Sequence, residues 1–230
     1  MRDLFLRWQK EYSFNAFIDD GIVCPECYAN PHVLFVLREM NCQASMSLCD
    51  DLLTRGSGFK TWNNVGRWAR ALLDGKEEYP YDMSQEKRIE QLKRIAVLNL
   101  KKEGGRSRII GKELLKAVES QHNFIYDEIS LCDPDIIICC GLAVKGAHSN
   151  AALIRKNVLS DCTEWEKFSS QKLNREWWYY YSAINGKEVP VVSFCHPQVT
   201  NLCGKRGHEE LFVPLYEDML FIRNKFLSKK

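Results

Sequence analysis

Four short runs of mainly apolar residues constrain the fold of this chain more than any other feature. Each run is too short for a buried helix, and strands that are apolar at nearly every position are typical of parallel sheets covered on both faces. The runs are Val33–Leu37, Ile95–Leu100, Ile136–Cys140 and Val189–Phe194. Because helix-like segments separate them, the sequence predicts an α/β fold: a three-layer α/β/α sandwich with a short four-stranded parallel sheet.

The segments between these runs differ in how regular they are. Apolar residues recur at helical spacing over residues 62–75, 112–132 and 209–227, and residues 1–21 favour a leading helix. Residues 150–187 lack that spacing but hold three tryptophans and three consecutive tyrosines. We therefore expect an irregular, aromatic-rich insert there.

Length and composition favour one domain spanning residues 1–230. Apolar residues make up 45% of the chain and charged residues 27%, as in ordinary globular proteins. The apolar runs are far shorter than the roughly 20 residues of a membrane span, and the N-terminus lacks a long hydrophobic region. We expect a cytoplasmic protein that does not interact with membranes, and we infer no obligate protein partner.

The ten cysteines raise the question of a metal site. Cys24 and Cys27 form a C-x2-C pair, which is half of a zinc or iron–sulfur site. No second close Cys or His pair follows, so a turn with packed cysteines is the favoured interpretation. We expect neither a metal nor another cofactor.

Two loops carry the residues best suited to catalysis. Arg38-Glu39-Met40-Asn41 follows the first apolar run, and Cys195-His196-Pro197-Gln198 follows the last. In open parallel sheets, ligands bind where the carboxyl ends of the strands emerge. An acid and a histidine at that edge could activate water and stabilise developing charge.

A basic stretch follows the second run. Residues 93–116 contain eight Lys or Arg and two Glu, and Gly104 and Gly105 would let backbone amides approach a phosphate. The alternative is a solvated helix flank. Asn99, near the end of the same run, has the donor and acceptor needed to read a nucleobase, or it caps the turn after the strand.

Taken together, these segments resemble the uracil-DNA glycosylase superfamily, especially its divergent bacterial members. The resemblance covers about residues 15–200. The segments that carry it are Phe17-Ile18-Asp19-Asp20-Gly21-Ile22-Val23, Val33–Asn41, Ile95–Lys102, Pro134–Ile138 leading to Gly141, and Phe194-Cys195-His196-Pro197.

The resemblance implies an enzyme that flips a base out of DNA and hydrolyses its N-glycosidic bond without a cofactor. The water-activating position of the family falls on Glu39, the histidine of its His-Pro-Ser motif on His196, and its base-reading asparagine on Asn99. Six further residues are candidates for DNA contacts, with Leu202 either a wedge in the vacated stack or a packed loop residue. These six are Lys101, Lys102, Arg106, Leu202, Lys205 and Arg206.

The departures from the family pattern bear on the substrate. The Arg38–Met40 loop has neither the glycine nor the proline of uracil enzymes, and Gln198 replaces the usual serine. We therefore expect a modified or damaged base rather than uracil, in double- or single-stranded DNA, with defence against phage DNA that carries modified bases as one possible role. Asn41 is a second base-reading candidate or a helix cap, and Arg38 either contacts the substrate or pairs near Glu39.

Three functions therefore remain open at the level of the sequence. The first is a DNA glycosylase, with a lyase variant through Lys101 or Lys102 as a minor option. The second is a non-catalytic nucleic-acid-binding sensor of the same fold. The third is a hydrolase of free nucleosides or nucleotides, which would need less positive surface.

Overall fold

A seven-stranded mixed sheet forms the centre of the molecule. The computed structural model describes residues 1–58, 60–105, 111–141 and 149–228. In chain order the elements are α1 (Arg2–Glu11), β1 (Ile18–Asp19), β2 (Gly21–Ile22), β3 (Val33–Leu37), β4 (Met46–Ser47), α2 (Leu48–Arg55), α3 (Lys60–Asp74), α4 (Gln85–Leu92), β5 (Ala96–Asn99), α5 (Gly111–Cys132), β6 (Ile136–Gly141), α6 (Asn150–Asn157), β7 (Glu166–Ser169), β8 (Glu176–Ile184), β9 (Lys187–Cys195), a π-helical turn (His208–Phe212) and α7 (Val213–Phe226).

The four predicted strands form the parallel centre of this sheet, in the order β5-β3-β6-β9. The register aligns Leu37 with Asn99, and Gly141 with Cys195. The carboxyl ends of all four strands therefore emerge at one edge. β2 adds an antiparallel strand beside β5, and β8 and β7 extend the opposite side.

Side chains alternate between the two faces of the strands and so divide the core into two apolar clusters, each covered by a layer of helices. Phe35 and Ile138 point into a cluster with α2, α3 and α7, whereas Leu34 and Ile137 point into a cluster with α1, α5 and α6. Successive side chains of a strand face opposite sides of a sheet, so near-continuous apolar strands fill both layers. The fold is the predicted α/β sandwich of three layers.

The helix boundaries follow ordinary capping chemistry. The side chains of Ser47, Ser84 and Ser149 accept backbone N–H bonds at the starts of α2, α4 and α6. Gly75 has a φ of +62° directly after α3, where a left-handed residue ends the helix. Along the described ranges, no helix has the length and apolarity needed to cross a membrane.

The expectation of an irregular insert over residues 150–187 was wrong. The segment contains α6 and the antiparallel strands β7 and β8, whose aromatic residues include the fully buried Trp177 and Tyr180. The turn joining β8 to β9 has two left-handed residues, Asn185 and Gly186, at φ values of 49° and 75°. That pair is the strongest short hairpin signal in a sequence, and it identifies β8–β9 as a hairpin.

Candidate active site

The Glu39 loop is fixed by backbone hydrogen bonds to the segment after β5. The Leu100 and Lys101 amides donate to the carbonyls of Leu37 and Arg38, at 3.1 and 2.9 Å. The Gly105 amide donates to the Met40 carbonyl at 2.9 Å. A site held by backbone hydrogen bonds to a neighbouring segment is more precisely placed than one on a free loop.

Glu39 and Lys101 form an ion pair at the carboxyl end of the sheet. The Lys101 Nζ lies 3.0 Å from Glu39 Oε2 and 4.0 Å from Glu113 Oε2. The Glu39 side chain is only 6% exposed and that of Lys101 14%. Both line a cavity of about 510 Å³, together with Glu103, Gly104 and Gly105. The cavity walls are polar. The charged residues in its described lining are three acids, Glu39, Glu103 and Glu113, and one lysine, Lys101.

The two glycines have a different role from the predicted one. Their amides donate to the carbonyls of Ala16 and Met40 and so do not present a free surface to a phosphate. A Cβ on Gly105 would overlap the Glu39 carboxyl group, and one on Gly104 would overlap the Cys42 backbone. A side chain at position 105 would therefore force the Glu39 carboxyl group to move.

His196 stands at the end of β9, on the same edge. Its ring Nδ1 lies 3.1 Å from the Gln198 backbone N–H, which can only donate. A neutral His196 therefore carries its proton on Nε2 and presents a donor away from the chain. Although His196 is exposed, partial desolvation by the neighbouring protein, and then the charge of Arg38, lower the pKa of His196, which favours this neutral form.

Arg38 and Asn150 link the loop after β3 to the end of β6. Arg38 Nε donates to Asn150 Oδ1 at 3.1 Å, and Asn150 Nδ2 donates to the Cys140 carbonyl at 2.6 Å. Burial lowers the pKa of Arg38, which the charge of Glu39 opposes. Arg38 thus influences both Glu39 and His196. β6 lies between β3 and β9, so the ends of the strands carrying Glu39 and His196 are roughly 10 Å apart.

The loop after His196 is fixed from α3. The buried Asn64 donates from Nδ2 to the Pro197 carbonyl at 2.6 Å, and Arg67 Nη1 donates to Asn64 Oδ1 at 3.2 Å. We did not single out either residue from the sequence. The signal available in the sequence was that these two polar side chains lie three residues apart, on one face of a helix.

Lys102 does not lie at the site, contrary to its prediction as a DNA contact. Its side chain is fully buried and pairs with Asp20 and with Glu128, the latter at 2.7 Å. Burial opposes its charge, but the two carboxylates raise the pKa of Lys102 above the ordinary value. Its ammonium cannot reach a phosphate, and the same burial excludes a Schiff base with substrate.

Asn99 belongs to this buried cluster, which contradicts its prediction as a base reader. The residue is 2% exposed, and its backbone N–H and Nδ2 both donate to Asp20 Oδ2, at 2.7 and 2.9 Å. The amide satisfies a buried carboxylate in place of a nucleobase. Asn99, Asp20, Lys102 and Glu128 are called the buried charge cluster below.

Lys101 also departs from its prediction as a phosphate contact. Its ammonium is directed at Glu39 and is mostly covered. Asn41 is exposed in the loop between β3 and β4, and the cap of α2 is Ser47, so the capping alternative for Asn41 was wrong. A base-reading role for Asn41 stays a prediction.

Three of the remaining predicted DNA contacts, Leu202, Lys205 and Arg206, lie at a hairpin turn after β9. Leu202 and Lys205 exchange two backbone hydrogen bonds across Cys203 and Gly204, both with left-handed φ. Leu202 is half-buried and packs against the core, which favours the packed-loop alternative over the wedge. Lys205 and Arg206 are exposed. Arg106 lies outside the described residues.

The Cys24–Cys27 pair forms a turn at the surface. The Cys27 amide donates to the Cys24 carbonyl at 3.0 Å, and Cys24 Sγ donates to Glu26 Oε2 at 3.3 Å. Within the described ranges, no group of three His, Cys, Asp or Glu side chains is arranged to hold a metal ion.

Comparison of the chain with known proteins identified no relative. No model of a protein family matches the chain, and neither a curated protein nor a solved structure matches it.

Proposed function

We propose that this protein is a DNA glycosylase that hydrolyses the N-glycosidic bond of a modified or damaged base. The observation that carries the proposal is the placement of Glu39. Its carboxylate, 6% exposed, is held by Lys101 in a cavity at the carboxyl ends of the parallel strands. His196 lies on the same edge two strands away.

Glu39 is suited to the sugar side of the reaction. Cleavage of a glycosidic bond passes through an oxocarbenium-like state that carries positive charge on the sugar. A fixed carboxylate stabilises that charge and can orient or deprotonate the attacking water. Lys101 fixes one oxygen, Oε2, and Oε1 carries no ion pair in the described chain.

His196 and Arg38 are suited to the departing base. Negative charge develops on the base as the bond breaks, and a neutral imidazole that donates from Nε2 can stabilise it. The positive charge of Arg38, which acts on His196, adds to that stabilisation. Stabilising both charges lowers the barrier without a metal ion or an acid of unusual strength.

The departures in the Glu39 loop support a base other than uracil. The aromatic strands β7 and β8 form one side of the molecule rather than a free insert, so we assign base selection to the loops at the sheet edge. Excision of modified bases from invading phage DNA in the cytoplasm is the biological role that the resemblance favours.

A hydrolase of free nucleosides or nucleotides is the second candidate. One observation favours it: Lys102 is buried and Lys101 is paired with Glu39, which removes two charges from the predicted DNA-binding surface. The chemistry at Glu39 would be the same, but the substrate would not be a polymer.

The test is mass spectrometry of bases released by the purified protein from defined substrates. The panel contains uracil DNA, unmodified DNA, phage DNA with hydroxymethylated or glucosylated cytosine, and the matching free nucleosides and nucleotides. We expect one base to be released from modified DNA. Release from free nucleosides or nucleotides alone would select the second candidate.

The Glu39→Gln variant is the control for each substrate. It keeps the size of the side chain and can still accept a hydrogen bond from Lys101, but it removes the negative charge. We expect loss of base release with retained DNA affinity. If neither protein releases a base while both bind DNA with strong salt dependence, a non-catalytic sensor replaces the proposal.

A further inference from the structure

A second cavity, of about 370 Å³, lies beside the His196 loop. One wall is a single face of α3, with Lys60, Asn63, Asn64 and Arg67 at i, i+3, i+4 and i+7. The opposite wall begins with Gln198, whose amide bonds to the His196 ring. We call it the α3 cavity. It adjoins the leaving-group side of the site.

Arg67 brings a buried positive charge to the α3 cavity. The residue is 8% exposed. Its three hydrogen bonds go to neutral oxygens: Nε to the Pro80 carbonyl at 3.0 Å, Nη1 to Asn64 at 3.2 Å and Nη2 to the Tyr81 carbonyl at 3.1 Å. Carbonyl oxygens satisfy the N–H groups but do not neutralise the charge.

The nearby acids do not supply the missing negative charge. Burial lowers the pKa of Arg67, whereas Tyr79 and then Asp82 oppose this shift. The Tyr79 ring lies 5.4 Å from the guanidinium carbon but is neutral, and Asp82 is itself paired with Lys87 at 2.8 Å. Within the described ranges, the lining of the α3 cavity contains no aspartate or glutamate, whereas Lys60 adds a second cation. Burying a charge without a counter-charge is costly, which indicates that an anion completes this arrangement.

Hydrogen-bond donors accompany the charge. Asn63, Gln198 and Thr200 line the α3 cavity, and each has a side chain able to donate. A guanidinium, an ammonium and neutral donors together suit the oxygens of a phosphate group.

We infer that the α3 cavity binds a phosphate group. Its identification as a phosphate of the glycosylase substrate rests on the proposed function, whereas binding of phosphate itself does not. The molecule would then separate two charges: carboxylates face the sugar cation at Glu39, and cations face the phosphate beyond His196.

Binding is measured as the rise in thermal unfolding midpoint, with sodium chloride at equal ionic strength as the reference. The probes are inorganic phosphate, a deoxynucleoside 5′-monophosphate and a 15-nucleotide single-stranded DNA. The variants are Lys60→Glu at the exposed rim and Arg67→Lys, with Lys10→Glu on α1 as the matched charge reversal on the opposite face of the sheet.

We expect phosphate to stabilise the wild type and Lys10→Glu, and its affinity to fall about tenfold or more in Lys60→Glu. Arg67→Lys keeps the positive charge but loses the planar guanidinium, so we expect a partial loss of phosphate affinity if this variant folds. If it does not fold, Lys60→Glu alone provides the test. A matching loss for the oligonucleotide identifies a DNA phosphate, and a loss for the monophosphate alone identifies a free nucleotide.

Equal responses of the wild type, Lys60→Glu and Lys10→Glu to all three probes would overturn the inference. Failure of the proposed function is a separate result. Phosphate binding that depends on Lys60, without base release from any DNA, would reject the glycosylase and keep the phosphate site. Base release without such binding would reject the phosphate site and keep the glycosylase.

Discussion

Two consecutive lysines, Lys101 and Lys102, have opposite environments in this protein. Both follow β5, both are paired with acids, and the sequence gives no reason to separate them. Lys101 turns to Glu39 at the edge of a cavity, and Lys102 turns into the core toward Asp20 and Glu128. The chain bends at Leu100 and Lys101 directly after β5, and the two neighbouring side chains point into different environments.

The difference shows how to distinguish a functional charge from a structural one. The buried charge cluster has no exposed side chain, and its acids surround the lysine on both sides. At Glu39, Lys101 holds one side of the carboxylate and leaves the remaining side of the group to the cavity. A paired charge indicates function only where a substrate can reach it.

The largest expected effect is on stability at Lys102. Lys102→Met leaves Asp20 buried without its cation, so we expect the free energy of unfolding to fall by about 3–5 kcal/mol. Lys101→Met should cost no more than about 1–2 kcal/mol because water in the cavity can solvate Glu39. Urea denaturation measures both, and equal losses would remove the distinction between the two lysines.

The next effect concerns activity without stability. Gly105→Ala would place a methyl group against the Glu39 carboxyl and displace it, so we expect base release to fall about 100-fold. The backbone of Gly105 does not need a left-handed conformation, so the unfolding free energy should change by less than about 1 kcal/mol. Gly58→Ala is the matched control, because a Cβ there meets nothing within 4 Å. Full activity in Gly105→Ala would exclude a requirement for the present Glu39 position.

A smaller effect is expected at Lys101. Lys101→Met removes the group that positions Glu39, and we expect base release to fall about tenfold, the value of one charge-assisted hydrogen bond. Lys101→Arg should recover part of the loss, since its guanidinium can also donate to Oε2. Single-turnover rates distinguish this from weaker substrate binding, which would change the affinity for DNA and spare the rate.

The smallest effect is a change in the pH dependence of stability. Burial, and then Asp20, raise the pKa of Glu128 well above its ordinary value. The stability that the protonated form provides is present below the unfolded pKa near 4.3 and is lost as pH rises toward the folded pKa. Glu128→Gln should abolish this loss, so its advantage over the wild type grows above pH about 4.3 by at most about 1.4 kcal/mol per pH unit.

Asp218 must be controlled in that measurement. Burial raises the pKa of Asp218 to about 6, which adds its own loss of stability between pH about 4 and 6. The comparison is therefore made in an Asp218→Asn background by urea denaturation at several pH values. Parallel curves with and without Glu128→Gln would show that Glu128 does not titrate differently in the folded state.

The parallel centre of the sheet was predictable because its strands are apolar on both faces. β3, β5, β6 and β9 all lie where the apolar runs predicted them. The β8 strand was missed because its aromatic residues were interpreted as loop composition, although the Asn185-Gly186 turn signalled a hairpin. A local apolar pattern predicts a strand, but an aromatic strand such as β8 is recognised only when the turn beside it is considered as well.

The candidate site was less predictable because its contacts join distant parts of the chain. Glu39 and His196 follow strand ends and were identified from that position. The hydrogen-bond partner of the buried Asn99 is Asp20, 79 positions away in the chain. Pairings of this kind, and the roles of Lys101 and Lys102 with them, depend on tertiary packing that no local pattern records.

The role of Glu39 is tested most directly by comparing the wild type with Glu39→Gln in two measurements on one modified DNA: single-turnover base release and equilibrium affinity. We expect at least about a 100-fold loss of base release in Glu39→Gln, with the affinity for DNA changed by less than about threefold. Equal release by the two proteins would contradict this expectation, because the carboxylate held by Lys101 would then have no part in the chemistry.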